Sequence, residues 1–186
     1  MAIKSIKHNI GVDFFHTPKP HLKSHIKCEM ECAGVTIHKM TEIEDLLSKA
    51  EELVDAFQFE SARDCTAKAL ELDARSVKAL QLHAAISIEL GDIPTGHQCL
   101  QAVIQEEPES LPDAYLALAQ LSTGKAALDY YVKGIQIFQK NIDTLQDEDR
   151  LAASSAMCAV AELFMTDLCE EEDAEQRCEE ALQHAK

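Results

Sequence analysis

Apolar and polar residues recur with a helical period along most of the chain after residue 40. The first such segment has apolar residues at three- and four-residue intervals, at Ile43, Leu46, Leu47, Ala50, Leu53 and Val54. This pattern predicts one helix that ends near Phe57 and a second helix from Glu60 to Leu72. The later stretch 89–93, Glu-Leu-Gly-Asp-Ile, has the form of a tight turn between two further amphipathic helices.

The helix–turn–helix unit repeats after 34 residues. Four positions at and just after its second helix have counterparts 34 residues later: Ala62, Thr66, Ala69 and Ala74 correspond to Gly96, Leu100, Val103 and Pro108. The first position is small, as close helix contact requires, the next two suit a core, and the last ends the helix. A helical repeat of this length is typical of the tetratricopeptide class. The sequence therefore predicts an all-α fold, a right-handed tetratricopeptide solenoid of about four helix pairs.

The repeat register divides the chain into an arm and a tetratricopeptide domain. The domain covers residues 41–186, with repeats at about 43–74, 77–108, 111–140 and 150–186, and the third repeat is three residues short between Gly96 and Ala127. Thr41 followed by Glu44 predicts a capping box at the start of the first helix. Residues 1–40 contain glycines and prolines that interrupt a helical period, and we expect a disordered arm rich in Lys and His.

Charge separates the same two segments. The 186-residue chain has a formal charge of −16, but residues 1–40 hold six Lys and three acidic residues, so the excess of Asp and Glu lies in residues 41–186. A body this acidic repels nucleic-acid phosphates and anionic membranes, and it attracts basic polypeptides. No apolar run approaches the ~18 residues that span a bilayer, and no apolar signal segment follows Lys4 and Lys7. We therefore expect an intracellular protein with no direct nucleic-acid or membrane partner.

The sequence contains no catalytic motif. It has no glycine-rich phosphate loop, nucleophile elbow or His-Glu-x-x-His pair, so we expect no enzymatic activity and no cofactor. The arm holds a closely spaced group that could place zinc ligands on one helical face, His21, His25, Cys28 and Cys32. This group lacks the long spacer that normally separates two ligand pairs, and we expect no metal. Cys65 and Cys99 share one repeat position and are interpreted as small, semi-buried hydrophobic residues.

The concave side of such a solenoid is an extended groove lined by the first helix of each repeat. The repeat register predicts seven partner-binding residues there: Glu44, Glu51, Asp55, Glu89, Tyr115, Glu162 and Asp167. Lys78 is the one basic side chain that the register places clearly inward, and Leu47 and Ile88 would add apolar contact. Such a groove favours a Lys/Arg-rich ligand. The alternative is that these carboxylates are solvated helix faces.

Four stretches of the sequence resemble the assembly chaperones of large-subunit ribosomal protein four. They are Ala-Glu-Leu-Phe-Met-Thr-Asp-Leu-Cys at 161–169, followed by Asp-Ala-Glu-Gln-Arg-Cys at 173–178, Lys-Ala-Glu-Glu-Leu-Val-Asp-Ala-Phe-Gln-Phe-Glu at 49–60, and Tyr-Leu-Ala-Leu-Ala-Gln-Leu-Ser-Thr-Gly at 115–124. The resemblance covers about 41–186 and implies a dedicated chaperone of the cytoplasm and nucleus. Such a chaperone captures the newly made basic ribosomal protein and delivers it to pre-60S ribosomes. The alternative function is a generic tetratricopeptide scaffold that joins other proteins.

Overall fold

The computed structural model describes the backbone of residues 20–141 and 145–185, with side chains from residue 38 onward. The described residues form eight α-helices and no strand, which confirms the all-α prediction. The helices are α1 Pro20–Asp55, α2 Phe59–Leu72, α3 Val77–Glu89, α4 Ile93–Glu106, α5 Pro112–Gln120, α6 Gly124–Lys140, α7 Asp147–Met165 and α8 Ala174–His184. The handedness of the predicted superhelix stays a prediction.

Helix α1 begins earlier than the sequence predicts. It starts at Pro20 and continues through Thr41, which therefore lies inside a helix and not at an N-cap. After Pro20, which is suited to a first helical turn, only Gly34 interrupts a run of helix-compatible residues. The chain divides into two units between Thr41 and Glu42. Residues 20–40 of the expected arm therefore belong to α1 in this structure, and residues 1–19 lie outside the described residues. The disorder of the arm stays a prediction.

The repeat positions form the core of the second unit. The side chains or backbone at Ala62, Thr66, Ala69, Gly96, Leu100 and Val103 are all buried, as the 34-residue register requires. Gly96 permits the closest approach, because a Cβ atom there would lie 2.6 Å from Cγ1 of Ile88. Among the described helices from α2 onward, those in substantial contact are consecutive along the chain. Each helix therefore packs mainly on its predecessor and its successor, as in a repeat protein.

The first two repeats turn in the same way. In the first, the Gln58 amide donates to the Leu53 carbonyl at 2.8 Å, and Phe57 has a left-handed φ of 59°. In the second, the Asp92 amide donates to the Ser87 carbonyl at 2.8 Å, and Gly91 has a φ of 81°. Both helices thus end in a Schellman motif, whose left-handed residue is usually glycine.

Polar contacts also join neighbouring repeats. The Arg75 guanidinium donates to both carboxylate oxygens of Glu106, at 2.8 and 2.6 Å. The Lys133 ammonium donates to Glu109 at 2.7 Å, and Lys140 donates to the other oxygen of the same carboxylate. These pairs are exposed, so each contributes little to stability.

Candidate partner-binding groove

An open groove of about 700 Å³ lies between α1 and α3. Its lining residues fall into two sets of four, Glu44, Leu47, Ser48 and Glu51 on α1 and Lys78, Gln81, Leu82 and Ala85 on α3. Each residue of the second set follows its counterpart by 34 residues. The two walls are therefore formed by equivalent faces of two successive repeats.

Two carboxylates dominate the α1 wall. Glu44 and Glu51 are both exposed, and their separation by seven residues places them about 10 Å apart along one face of the helix. Leu47 lies between them and is buried, so the groove has acidic edges and an apolar floor. An extended basic segment has side chains of both kinds, cationic heads on apolar stems, and it matches this arrangement.

Lys78 occupies on α3 the repeat position that Glu44 occupies on α1. Its side chain is exposed, and the ion pairs of the described residues do not include one between Lys78 and Glu44 or Glu51. The groove therefore combines two carboxylates with one ammonium group, and its net charge is negative.

Asp55 and Glu89 lie at the end of the groove walls. They are the last residues of α1 and α3, they occupy equivalent positions 34 residues apart, and both are exposed. Asp55 follows Glu51 by one helical turn on the same face. These two carboxylates extend the acidic surface beyond the groove and towards the turns.

Tyr115 is not a groove residue, contrary to the prediction. Its side chain is 6% exposed, and its hydroxyl donates to the Pro108 carbonyl at 3.0 Å. The third repeat is aligned with the second by an offset of 31 residues at the turn, which places Tyr115 at the position of Ala84. Because Ala84 is itself completely buried, Tyr115 belongs to the core.

Glu162 and Asp167 lie apart from the α1–α3 groove. Glu162 lines a separate depression of about 300 Å³ beside Tyr131. Burial and, to a smaller extent, the Glu162 carboxylate raise the pKa of Tyr131. Asp167 Oδ2 accepts a hydrogen bond from the Gly124 amide at 2.9 Å and thereby caps the start of α6. The structure therefore gives Asp167 a contact within the fold, and it brings together only Glu44 and Glu51 of the predicted set.

Sequence reasoning overlooked the polar, uncharged part of the groove. Ser48 and Gln81 line it and provide hydrogen-bond donors and acceptors, and the small side chain of Ala85 lies at the position equivalent to Glu51. The available signal was the 34-residue spacing, which maps every α1 wall residue onto α3.

Within the described residues, no group of His, Cys, Asp and Glu side chains is arranged to hold a metal ion. The four candidate ligands of the arm, His21, His25, Cys28 and Cys32, lie among residues whose side chains are not described. No described helix has the length and apolar character to cross a bilayer.

No protein-family model matches the sequence. The chain is 33% identical over 153 residues to the "Probable assembly chaperone of rpl4" of Schizosaccharomyces pombe, covering 78% of this chain and 44% of that protein. It is 30% identical over 189 residues to the protein of the same name from Emericella nidulans, covering 90% and 48%. A solved structure of an assembly chaperone of RpL4, residues 1–338, matches with a TM-score of 0.70 and 27% identity, over 77% of this chain and 62% of that one.

These matches confirm the resemblance that the sequence motifs indicate. The chain spans about half the length of the curated relatives that it matches.

Proposed function

We propose that this chain is a dedicated, non-enzymatic chaperone that binds newly made large-subunit ribosomal protein four. The observation that carries the proposal is the likeness to two proteins named for that task, together with a solved structure of the same name. The chaperone acts in the cytoplasm and nucleus and releases its client to pre-60S ribosomes. Binding requires no cofactor, and neither nucleic acid nor membrane takes part directly.

The α1–α3 groove supports this proposal by its charge and shape. Carboxylates at Glu44 and Glu51 attract a basic chain from a distance, and Leu47 and Leu82 contact the apolar stems of its side chains. Long-range attraction increases the rate of encounter and is screened by salt. We therefore expect client affinity to fall as ionic strength rises.

The groove is tested by reversing its two carboxylates. One charge pair at about 4 Å in water contributes about 1 kcal/mol, so the Glu44→Lys/Glu51→Lys variant should lose at least about tenfold in affinity. The matched control is Glu171→Lys/Glu172→Lys, which makes the same change of net charge in an exposed turn between α7 and α8. Affinity for purified ribosomal protein four is measured by fluorescence anisotropy. Equal losses in the two variants would show that net charge, and not the groove, determines binding.

Lys78 provides the opposite perturbation. Lys78 occupies the repeat position of Glu44, and its positive charge repels a basic client. The Lys78→Glu variant should therefore bind the client more tightly. Weaker binding by this variant, with its helicity intact by circular dichroism, would place the client elsewhere.

The second candidate function is a scaffold that joins two folded proteins through an outer or end surface. The exposed side chains of Leu151 and Leu182 on α7 and α8 favour it, because large apolar groups at a surface can anchor a partner. A scaffold would tolerate charge reversal at Glu44 and Glu51 and would lose its partners on Leu151→Asp/Leu182→Asp substitution.

A further inference from the structure

Phe57 occupies a position at which the fold calls for glycine. It is the left-handed residue of the Schellman motif that ends α1, and its counterpart 34 residues later is Gly91. Left-handed φ values are unfavourable for residues with a Cβ atom and unrestricted for glycine. The first repeat therefore carries a bulky side chain where the second repeat has none.

The ring of Phe57 is not part of the core. It is 81% exposed, more than any other large apolar side chain among the described residues. Its ring contact is an edge-to-face arrangement with Phe59, at 6.3 Å between centroids and an interplanar angle of 82°. This contact covers a small part of the ring. Burial thus does not account for an aromatic residue in an unfavourable backbone conformation at the surface.

The charge around Phe57 indicates which side chain it would contact. Residues 50–62 contain four carboxylates, at Glu51, Glu52, Asp55 and Glu60, and no Lys or Arg. All four are exposed. An exposed aromatic ring with exposed carboxylates close to it in sequence can attract a cation through both the ring quadrupole and direct charge. Arginine suits it best, because its planar guanidinium stacks on a ring while it donates hydrogen bonds to a carboxylate.

The chain already contains one such contact. The Arg177 guanidinium lies over the Phe164 ring, 5.6 Å from its centroid. Within the described residues, no arginine or lysine lies over Phe57. Asp55, which ends the acidic face that begins at Glu44 and Glu51, precedes Phe57 by two residues.

We propose that Phe57 is an arginine-binding residue, which stacks on a guanidinium of a basic polypeptide client at the end of the α1 acidic face. The inference rests on the proposed function in that the groove and Phe57 contact one basic client. It adds that the chain prefers arginine to lysine and that the ring of Phe57 determines this preference.

The test measures stability and binding on the same full-length variants. Phe57→Gly and Phe57→Asn remove the ring and fit the left-handed turn, so Phe57→Gly should raise Tm by about 2–4 °C. Both variants should bind a dodeca-arginine peptide about threefold to tenfold more weakly in fluorescence anisotropy, which is the contribution of a cation–π contact. Their affinity for dodeca-lysine should change less. Phe57→Trp should keep the arginine affinity, and Phe57→Leu should not.

The control variant is Met165→Ala, which removes another exposed apolar side chain, 68% exposed at the end of α7, and should leave both affinities unchanged. Unchanged arginine affinity in Phe57→Gly overturns the inference. Full affinity in Phe57→Leu also overturns it, because any apolar anchor would then suffice. A lower Tm with unchanged affinity assigns the ring a structural role instead.

A separate binding assay with ribosomal protein four distinguishes this inference from the proposed function. If the native chain binds the ribosomal protein and the Phe57 variants bind both it and the peptide equally well, the chaperone function stands and the arginine site fails. If Phe57 determines arginine affinity but the native chain does not bind the ribosomal protein, the arginine site stands and the chaperone function fails.

Discussion

Substitution of Gly96 by alanine tests the packing of α3 on α4, the helix pair that supports one wall of the groove. In an open helix interior, Gly→Ala stabilises by about 1 kcal/mol. Here the new Cβ would lie 2.6 Å from Cγ1 and 3.2 Å from Cδ1 of Ile88, and 3.2 Å from the Ala84 carbonyl oxygen. Overpacking of this kind costs about 1–3 kcal/mol, which outweighs or cancels that gain, so we expect a net loss of up to about 2 kcal/mol.

The second variant in this test removes the atoms that obstruct the new methyl group. Ile88→Ala eliminates Cγ1 and Cδ1, and because Ile88 is half-buried we expect it alone to cost about 1–2 kcal/mol, below the range for a fully buried residue. In that background Gly96→Ala should become neutral or stabilising. The first repeat agrees with this reasoning, because it pairs the smaller Val54 with Ala62 at the same two positions.

Urea denaturation of the four proteins in this double-mutant cycle provides the measurement, with Gly91→Ala as a control. No atom lies within 4 Å of the position that a Cβ at Gly91 would occupy, and φ there is 81°, so its substitution costs about 1–2 kcal/mol through the backbone alone. Ile88→Ala should not rescue Gly91→Ala. Stabilisation by Gly96→Ala in the native background, or the same loss in both backgrounds, would refute the packing argument.

Three further predictions concern single polar groups. The buried Ser87 hydroxyl has no hydrogen-bond partner, so Ser87→Ala should stabilise the fold by about 1 kcal/mol in thermal unfolding, and destabilisation would contradict this reasoning. Burial and, to a smaller extent, the charge of Arg63 lower the pKa of His83 below its ordinary value of 6.5. The unfolded chain therefore binds the proton more tightly than the folded chain, and the stability of the fold should fall as pH drops below 6.5. His83→Gln should remove that dependence. Hydrogen bonds from Lys133 and Lys140 lower the pKa of Glu109 to about 2, so their stabilising effect is complete above pH 4.5 and is lost as pH falls towards 2. Carbon-13 titration of the Glu109 carboxylate should show that midpoint, and Lys133→Met should raise it.

The repeat register explains why much of the fold was predictable. Small residues at Ala62 and Gly96 and a 34-residue spacing specify helix pairs without any knowledge of their contacts, and the helices lie close to where the pattern places them. The start of α1 was not predictable in the same way. Pro20 and Gly34 suggest interruptions of a helix. Proline in the first turn and a single glycine are nevertheless both compatible with a helix, and α1 contains both residues.

The candidate site was predictable only where the register is regular. Glu44 and Glu51 belong to the first repeat and line the α1–α3 groove, and their role in partner binding stays a prediction. Tyr115 belongs to the shortened third repeat, where an error of three residues moves a side chain from the surface to the core. Asp167 lies within the turn that follows α7, and its hydrogen bond with the Gly124 amide is a tertiary contact that periodicity does not encode.

The packing of consecutive helices on one another has a consequence for the synthesis of the chain. Helices α2 to α8 make their substantial described contacts with the next helix in sequence, so these contacts are short in sequence separation. Chains dominated by such local contacts fold quickly, and domains fold from the N-terminus as they leave the ribosome. The groove walls α1 and α3 are both made before α5 to α8. The nascent chain can therefore form its acidic groove while its second half is still being translated.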